Sequence, residues 1–163
     1  YAKEDSKIMG FPDAIERLLA AEGGYVNDSA DAGGETKYGI SKRSYPAIDI
    51  AHLTKEQAIE IYRRDWWEKY GYDRLPEAIG EHTFSFAVNM GSQMAHRLLQ
   101  RALADLGIEI DVDGVLGPHT VMHVSTYRHP DVLLLLLKCG AVAYYRSLHK
   151  PKYLAGWVRR AMT

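Results

Sequence analysis

The chain has 163 residues, of which 47% are hydrophobic and 25% charged, and this composition is typical of one globular domain, or one domain with a small appendage. Its single cysteine, Cys139, excludes an intramolecular disulfide framework and a zinc site made from several cysteines. Because Cys139 lies in an apolar run, we expect it to be buried and inert. The net charge is only -1, but no acidic residue follows Asp131. The basic end favours either an anionic partner, such as nucleic acid, membrane or cell-wall polymer, or pairing with the acidic part of the same domain.

The first ten residues, YAKEDSKIMG, are polar and contain no apolar segment, so no signal peptide is visible. The longest apolar run, Val132 to Leu137, is too short to cross a bilayer. We therefore expect a protein that is made in the cytoplasm and has no stable membrane insertion.

Residues 11–22 predict a first helix, with Pro12 at a position that suits helix starts and Gly23 after its end. Its apolar stripe is formed by Ile15, Leu18 and Leu19. Continuing the stripe by three residues places Glu22 on the buried face in the last turn. Burial and the negative end of the helix dipole both raise a carboxyl pKa, which suits a general acid. The alternative is an exposed glutamate on a frayed turn.

Residues 25–40 predict a polar loop or small hairpin, with Tyr25-Val26 and residues 38–40 as short strands beside a turn at Gly33-Gly34. Glycoside hydrolysis needs an acid for the leaving oxygen and a second polar group that positions water or stabilises positive charge. Glu22, with Asp31 and Thr36 on the returning loop, supplies these groups. The candidate substrate-binding residues of this stretch are Tyr25, Asn27 and Tyr38.

The next elements are predicted from local signals. Ser41 is predicted to cap a short helix that Pro46 ends, and Thr54 with Gln57 has the form of a capping box. That box opens a helix that Gly71 ends. Trp66 and Trp67 within it are adjacent, so they cannot both face the core.

The remainder predicts further helices over 82–90 and 94–106, one from Pro118, a long one over about 131–148, and a short last one. The long helix contains so many apolar residues that we expect it to lie away from the surface. Asn89, near the end of its helix, is either a helix-stop residue or a hydrogen-bonding group turned into a cleft. We include it among the candidate substrate-binding residues.

Other chemistries lack the residues that they need. Asp111 and Asp113 suggest a calcium loop, but the further ligands and the terminal glutamate are missing. His119 and His123 share one helix face, yet the HExxH pattern is absent, and we interpret them as surface histidines. No Walker loop, GxGxxG or GxSxG occurs. We predict no cofactor and no metal.

The motifs EGGYVND…GGETKYGIS, YRRDWW and FAVNMG resemble the glycoside hydrolase family 108 endolysins, which are phage and prophage N-acetylmuramidases. LLQRAL…DVDGVLGPHT and AYYRSL…YLAGWVRRA resemble the predicted peptidoglycan-binding region that usually follows. The resemblance covers about residues 11–161. It implies a mainly α, lysozyme-like (α+β) fold, a helical bundle with a small Gly-rich β-hairpin or loop near the N-terminus. It also matches Glu22 to the family's catalytic glutamate.

The chain departs from the family pattern in a few places. Ser29 and Ala32 replace the two prolines of NDPxDPGG, which should loosen the loop, and Ser85 stands where an aspartate is common. The gap between Asp31 and Thr36 is one residue shorter than in the phage-type lysozyme pattern. These changes leave Glu22 in place, although each is of a kind that lowers activity or shifts the substrate.

The sequence thus predicts a muramidase region over 11–92 and a helical peptidoglycan-binding-like region over 93–161, packed together as one globular unit. The expected partner is the glycan strand of peptidoglycan, which the protein reaches in the periplasm after release, as phage enzymes usually do through a holin. We expect a monomer. The alternatives are a non-catalytic peptidoglycan-binding module and a lytic transglycosylase. Nucleic-acid binding is disfavoured because the basic residues of the tail alternate with an apolar helix.

Overall fold

The computed structural model describes residues 10–21, 25–27 and 34–163. Within these ranges the elements follow in the order α1 (Phe11–Ala21), β1 (Val26–Asn27), β2 (Glu35–Lys37), β3 (Ile40–Ser41), α2 (Lys55–Tyr62), α3 (Glu77–Met90), α4 (Ser92–Asp105), α5 (Pro118–Thr126), α6 (Pro130–Ser147) and α7 (Pro151–Met162). The mainly α fold with a small β element near the start, predicted from the sequence, is confirmed.

The helix α1 forms as its apolar spacing predicts. Ala14, Ile15 and Leu18 are buried on one face, while Glu16 and Arg17 are exposed. This face packs on α3, the helix with the most completely buried side chains. The predicted last residue of the helix, Glu22, lies outside the described residues.

The small sheet is antiparallel in the order β1-β2-β3, with Val26 opposite Thr36 and Lys37 opposite Ile40. The strand predicted at 38–40 is wrong. Tyr38 and Gly39 have φ of 52° and 76°, so they form the tight turn between β2 and β3. A tyrosine rarely adopts positive φ, which is why the sequence did not indicate this turn.

Two further local predictions have different outcomes. Ser41 Oγ accepts a hydrogen bond from the Ser44 amide at 3.2 Å, but the chain that follows forms turns, so the predicted short helix is wrong. The capping box is confirmed: Thr54 Oγ1 accepts from the Gln57 amide at 3.2 Å, and Gln57 Oε1 accepts from the Thr54 amide at 2.9 Å. The box therefore fixes where α2 begins.

Beyond Tyr62 the helix widens into a π-helical segment, Arg63–Glu68, and Gly71 with φ 67° ends it as predicted. Trp67 is fully buried between Phe11 and Phe84, with both ring-centroid distances at 5.5 Å. Trp66 is half-buried and packs on Tyr70. Of the two tryptophans, only Trp67 is fully buried, while Trp66 packs at the edge of the core.

The long helix α6 is not buried all round, contrary to the expectation from its composition. Leu133, Leu137 and Ala141 repeat every four residues and are buried against α3 and α4. Leu135 and Cys139 lie on the other face and are exposed, so the prediction of a buried cysteine is wrong. Composition alone does not show that only one face has a partner. In the part of the chain that the structure describes, no helix is both long and apolar enough to cross a membrane.

Candidate functional site

A cleft of about 520 Å³ lies between α1, α3 and α7. The α1 residues that line it are Ala14, Arg17, Leu18 and Ala20; those of α3 are Glu81, His82 and Ser85; those of α7 and the chain end are Gly156, Arg159, Arg160 and Thr163. The cleft thus brings together the helix that precedes Glu22 and the basic end of the chain.

The helices α1 and α3 run in the same direction along this cleft. Asp13 groups with Glu77 and Glu81, Arg17 pairs with Glu81, and Leu18 and Ser85 line the same wall. Each step of four residues towards the C-terminus of α1 is therefore matched by a step of four towards the C-terminus of α3. Continued by one further turn, this register brings Ala21, the last residue of α1, to the level of Ser85.

Glu81 is the main buried charge of the cleft wall. Its side chain is 8% exposed, and it accepts a hydrogen bond from the Arg17 guanidinium, which is 54% exposed. Burial raises the pKa of the Glu81 carboxyl, and the Arg17 charge opposes that rise without cancelling it. A carboxyl of this kind remains protonated to a higher pH than an exposed one.

The neighbouring His82 is held as a neutral ring. Its Nδ1 donates to the Ala78 carbonyl at 2.7 Å, and burial lowers its pKa. Arg17 and Lys138 act in the same direction by charge repulsion. Since Nδ1 carries the proton, Nε2 is the acceptor nitrogen of this cleft residue.

Asn89 connects α3 to α7. Its Nδ2 donates to the Ser85 carbonyl at 2.7 Å, and its Oδ1 accepts from the Arg160 guanidinium. Gly91, with φ 91°, ends the helix instead. Of the two interpretations weighed from the sequence, the structure places Asn89 as a hydrogen-bonding group beside the cleft.

Three of the other candidate site residues lie on or beside the small sheet. Thr36 occupies the middle of the central strand β2, is half-buried, and donates from Oγ1 to the Gly34 carbonyl at 3.3 Å. Tyr25 is exposed and donates to Glu35 Oε1 at 2.8 Å. The Tyr38 carbonyl accepts from Tyr62 Oη at 3.0 Å, which ties the turn to α2.

The structure leaves the central predictions of the site untested. Glu22 and Asp31 lie outside the described residues, and for Asn27 only its place in β1 is described. Thr36 and Tyr38 come together on the sheet, whereas Asn89 belongs to the helical side. Sequence reasoning missed Arg17, Glu81 and the two arginines of α7, although an ionisable residue inside a buried helix, such as Glu81, is itself a signal.

Two groups of side chains, one of them at the cleft wall, have metal-binding residue types. The carboxylates of Asp13, Glu77 and Glu81 lie within 4.8 Å of one another, but the Arg17 guanidinium already neutralises part of their charge. His119 and His123 are partly or fully exposed, with their Nε2 atoms 3.1 Å apart. The side chain of Asp113, from the suspected calcium loop, instead accepts from the Val115 amide and from Gln100, both at 2.8 Å.

The fold and the helical cleft define the class, a mainly α protein with the lysozyme-like fold. Residues 15–91 match the family described as Glycosyl hydrolase 108, and residues 94–162 match the Predicted Peptidoglycan domain. The chain thus contains a region that matches the glycosyl hydrolase 108 family, followed by a region that matches a predicted peptidoglycan domain. The family resemblance seen in the sequence is confirmed.

The chain is also similar to a solved structure, that of Brucella abortus SagA. The two are 29% identical, the match covers 93% of this chain and 89% of the other, and the TM-score is 0.79. Comparison with the curated proteins gave no match. The two family matches support a peptidoglycan hydrolase of the glycoside hydrolase class, with peptidoglycan as its partner.

Proposed function

We propose that the protein is an N-acetylmuramidase, a lysozyme that cleaves the β-1,4 bond between N-acetylmuramic acid and N-acetylglucosamine. The observation that carries the proposal is the position of the cleft: α1, the helix that precedes Glu22, forms one of its walls within the region matched by Glycosyl hydrolase 108. Glu22 is the first residue after the described end of that helix.

In this proposal Glu22 is the general acid. It gives its proton to the glycosidic oxygen as the bond from C1 to that oxygen breaks. Water then adds to C1 and passes its excess proton to a carboxylate of the site, Glu22 or Asp31. The C-terminal end of α1 favours a neutral carboxyl, because the partial negative charge of the helix end disfavours the ionised form. Asp31 and Thr36 orient the water or stabilise the positive charge that develops on the sugar ring.

The polar groups around the cleft suit a glycan with anionic substituents. The peptide attached to muramic acid carries carboxylates, and three arginines, Arg17, Arg159 and Arg160, line the cleft. Asn89, held by Arg160, adds an amide beside the cleft residues Ser85 and Arg160. Tyr25 and Tyr38, with Asn27, would contact the sugar from the sheet.

The biological setting belongs to the same proposal. An enzyme of this type acts on the cell wall in bacteriolysis, as a phage or prophage endolysin released through a holin. We propose that it works as a monomer, with the region at 11–92 cleaving the glycan and the region at 93–161 binding it.

The test is the clearing of purified, outer-membrane-free sacculi by wild type and by Glu22→Gln. Removing a general acid typically costs about 10²- to 10⁴-fold in rate, so we expect the variant to leave the suspension turbid. Glu16→Gln is the matched control, because Glu16 lies exposed on the same helix. It should clear sacculi like wild type.

Mass spectrometry of the released fragments distinguishes the alternatives. Reducing N-acetylmuramic acid ends support the muramidase, whereas a 1,6-anhydro product would show a lytic transglycosylase. If wild type and Glu22→Gln both fail to clear but both pellet with sacculi, the enzyme proposal is wrong and the protein is a binding module.

A further inference from the structure

Three aromatic rings stack on one another where α6 meets α7. Tyr145 is 3% exposed and stacks on Trp157, with ring centroids 5.3 Å apart and an interplanar angle of 30°. Trp157 in turn stacks on Tyr153 at 5.6 Å and 24°. Only the last ring of the series reaches well into solvent, since Tyr153 is 50% exposed.

This arrangement keeps an aromatic face rigid at the surface. A lone exposed tyrosine samples several rotamers, whereas Tyr153 is held against Trp157, which is itself held by the buried Tyr145. A ring that is already ordered loses little entropy when a ligand stacks on it.

The stack lies on the same stripe of α7 as the cleft. Tyr153, Gly156, Trp157 and Arg160 are spaced i, i+3, i+4 and i+7, which places them on one helix face. Gly156 and Arg160 line the cleft, so the ring of Tyr153 lies beside its α7 wall. From Tyr153 to Arg160 the helix advances by roughly 10 Å.

The charges around the stack match an anionic polymer. Lys152 Nζ is 5.4 Å from the centroid of the Tyr153 ring, and Lys150 precedes α7 and is exposed. An exposed contact between a lysine and an aromatic ring is worth only about 0.5–1 kcal/mol, so a ligand can replace it. The lysine is then available to pair with a carboxylate of the ligand.

We propose that Tyr153, supported by Trp157, is a binding subsite for an N-acetylated amino-sugar ring of the peptidoglycan strand whose scissile bond lies in the cleft. The apolar face of the sugar stacks on Tyr153, and Lys150 and Lys152 pair with the carboxylates of the attached peptide. This rests on the proposed function, because it extends the same glycan along α7. The subsite lies within the region that matches the Predicted Peptidoglycan domain.

The test measures binding separately from cleavage. Sacculi are pelleted with Glu22→Gln protein and with the same protein carrying Tyr153→Ala, and soluble N-acetylglucosamine tetramer serves as the second probe. Losing one stacked ring should weaken binding about 3- to 10-fold. Tyr153→Leu keeps an apolar side chain on Trp157 and should lose binding to a similar extent.

Leu135→Ala is the matched control, since Leu135 is an equally exposed apolar residue on α6 and outside the stack. It should bind like the parent. In the wild-type background Tyr153→Ala should raise KM with little change in kcat, as expected when binding away from the reacting bond is removed.

The inference is overturned if Tyr153→Ala binds both probes like its parent, or if Tyr153→Leu retains full binding. It is also overturned if kcat falls while binding is unchanged. Failure of the wild type to hydrolyse sacculi would instead overturn the proposed function. The binding of Glu22→Gln protein with and without Tyr153→Ala would still test the subsite.

Discussion

Glu81 shows how one residue in a buried helix can set part of the pH dependence of the whole chain. It is almost entirely buried in the cleft wall, and its partner Arg17 is about half exposed. Because water screens the arginine, its attraction offsets only part of the cost of burying the carboxylate. The pKa of Glu81 is therefore raised above 4.5 in the folded protein.

A raised pKa has a defined effect on stability. Between the unfolded and the folded pKa, the folded state binds more protons than the unfolded state, so the free energy of unfolding falls as pH rises through this window. The window begins near 4.5, the ordinary value for a glutamate, and extends upward.

We predict that Glu81→Gln removes this decline. Relative to wild type, the variant should gain stability as pH rises from about 4 towards 7. The gain should stay within about 1 kcal/mol, since Arg17, the partner of Glu81, is half exposed. Urea unfolding at several pH values measures the difference. Glu109→Gln, an exposed control, should keep the wild-type profile. A parallel profile for Glu81→Gln and wild type would contradict the prediction.

The sequence could predict pairs of residues close in the chain, but not the pair formed by Arg17 and Glu81. Thr54 and Gln57 are three residues apart, so their capping box is visible in the chain itself. Arg17 and Glu81 are separated by 64 positions and meet only because α1 packs along α3. Nothing in either local sequence indicates the partner.

At the scale of elements, Gln100 joins three parts of the C-terminal region. It lies on α4, is 1% exposed, and accepts from the Gly114 amide at 2.8 Å. Its Nε2 donates to Asp113 Oδ1 at 2.8 Å, to the Val115 carbonyl at 3.0 Å and to Thr120 Oγ1 at 3.2 Å. One side chain thus ties the loop before α5 and the start of α5 to α4.

We predict that Gln100→Leu, which keeps the side-chain size, lowers the free energy of unfolding by about 2–3 kcal/mol, because it leaves the buried Gly114 amide without its acceptor. Arg101→Leu, on the exposed side of the same helix, should change stability by less than about 0.5 kcal/mol. Chemical denaturation measures both. Hydrogen exchange at Gly114 should quicken in Gln100→Leu alone, and unchanged exchange there would contradict the assignment.

Whether an element could be predicted depended on the kind of local sequence signal that it contains. The starts of α2 and α5 were predictable because a capping box and a proline mark them. The turn at Tyr38 carries no usual turn residue at its first position, and the π-helical widening after Tyr62 has no sequence signal. Which face of α6 is buried depends on its neighbours.

At the scale of the molecule, the two family regions share one interior. Within it, His96 on α4 donates from Nδ1 to the Gly114 carbonyl at 3.0 Å, and its Nε2 accepts from Tyr72 Oη at 2.9 Å. Burial raises the pKa of Tyr72 and lowers that of His96, so both are neutral in this bond. The regions also meet where Asn89 bonds Arg160.

Further contacts run in both directions across the boundary between the regions. Arg74 donates to the Leu116 carbonyl at 3.3 Å, and Ser125 Oγ donates to the Arg74 carbonyl at 3.3 Å. The helix α3 packs against both α4 and α6. Separating the regions would therefore expose apolar surface on each and leave buried polar groups without their partners.

We predict that the chain unfolds in one cooperative step. The Trp157→Phe variant leaves Trp66 and Trp67 as fluorescence probes of the first region, while far-UV circular dichroism reports mainly on the longer helices α3, α4 and α6. Both signals should change at the same urea concentration.

A chain that ends at Gly91 should show no cooperative transition, because the faces of α3 that pack on α4 and α6 would lie in water. Two separate transitions in the full chain would show that the regions are independent domains, and binding by the C-terminal region would then be expected to persist after the first region unfolds.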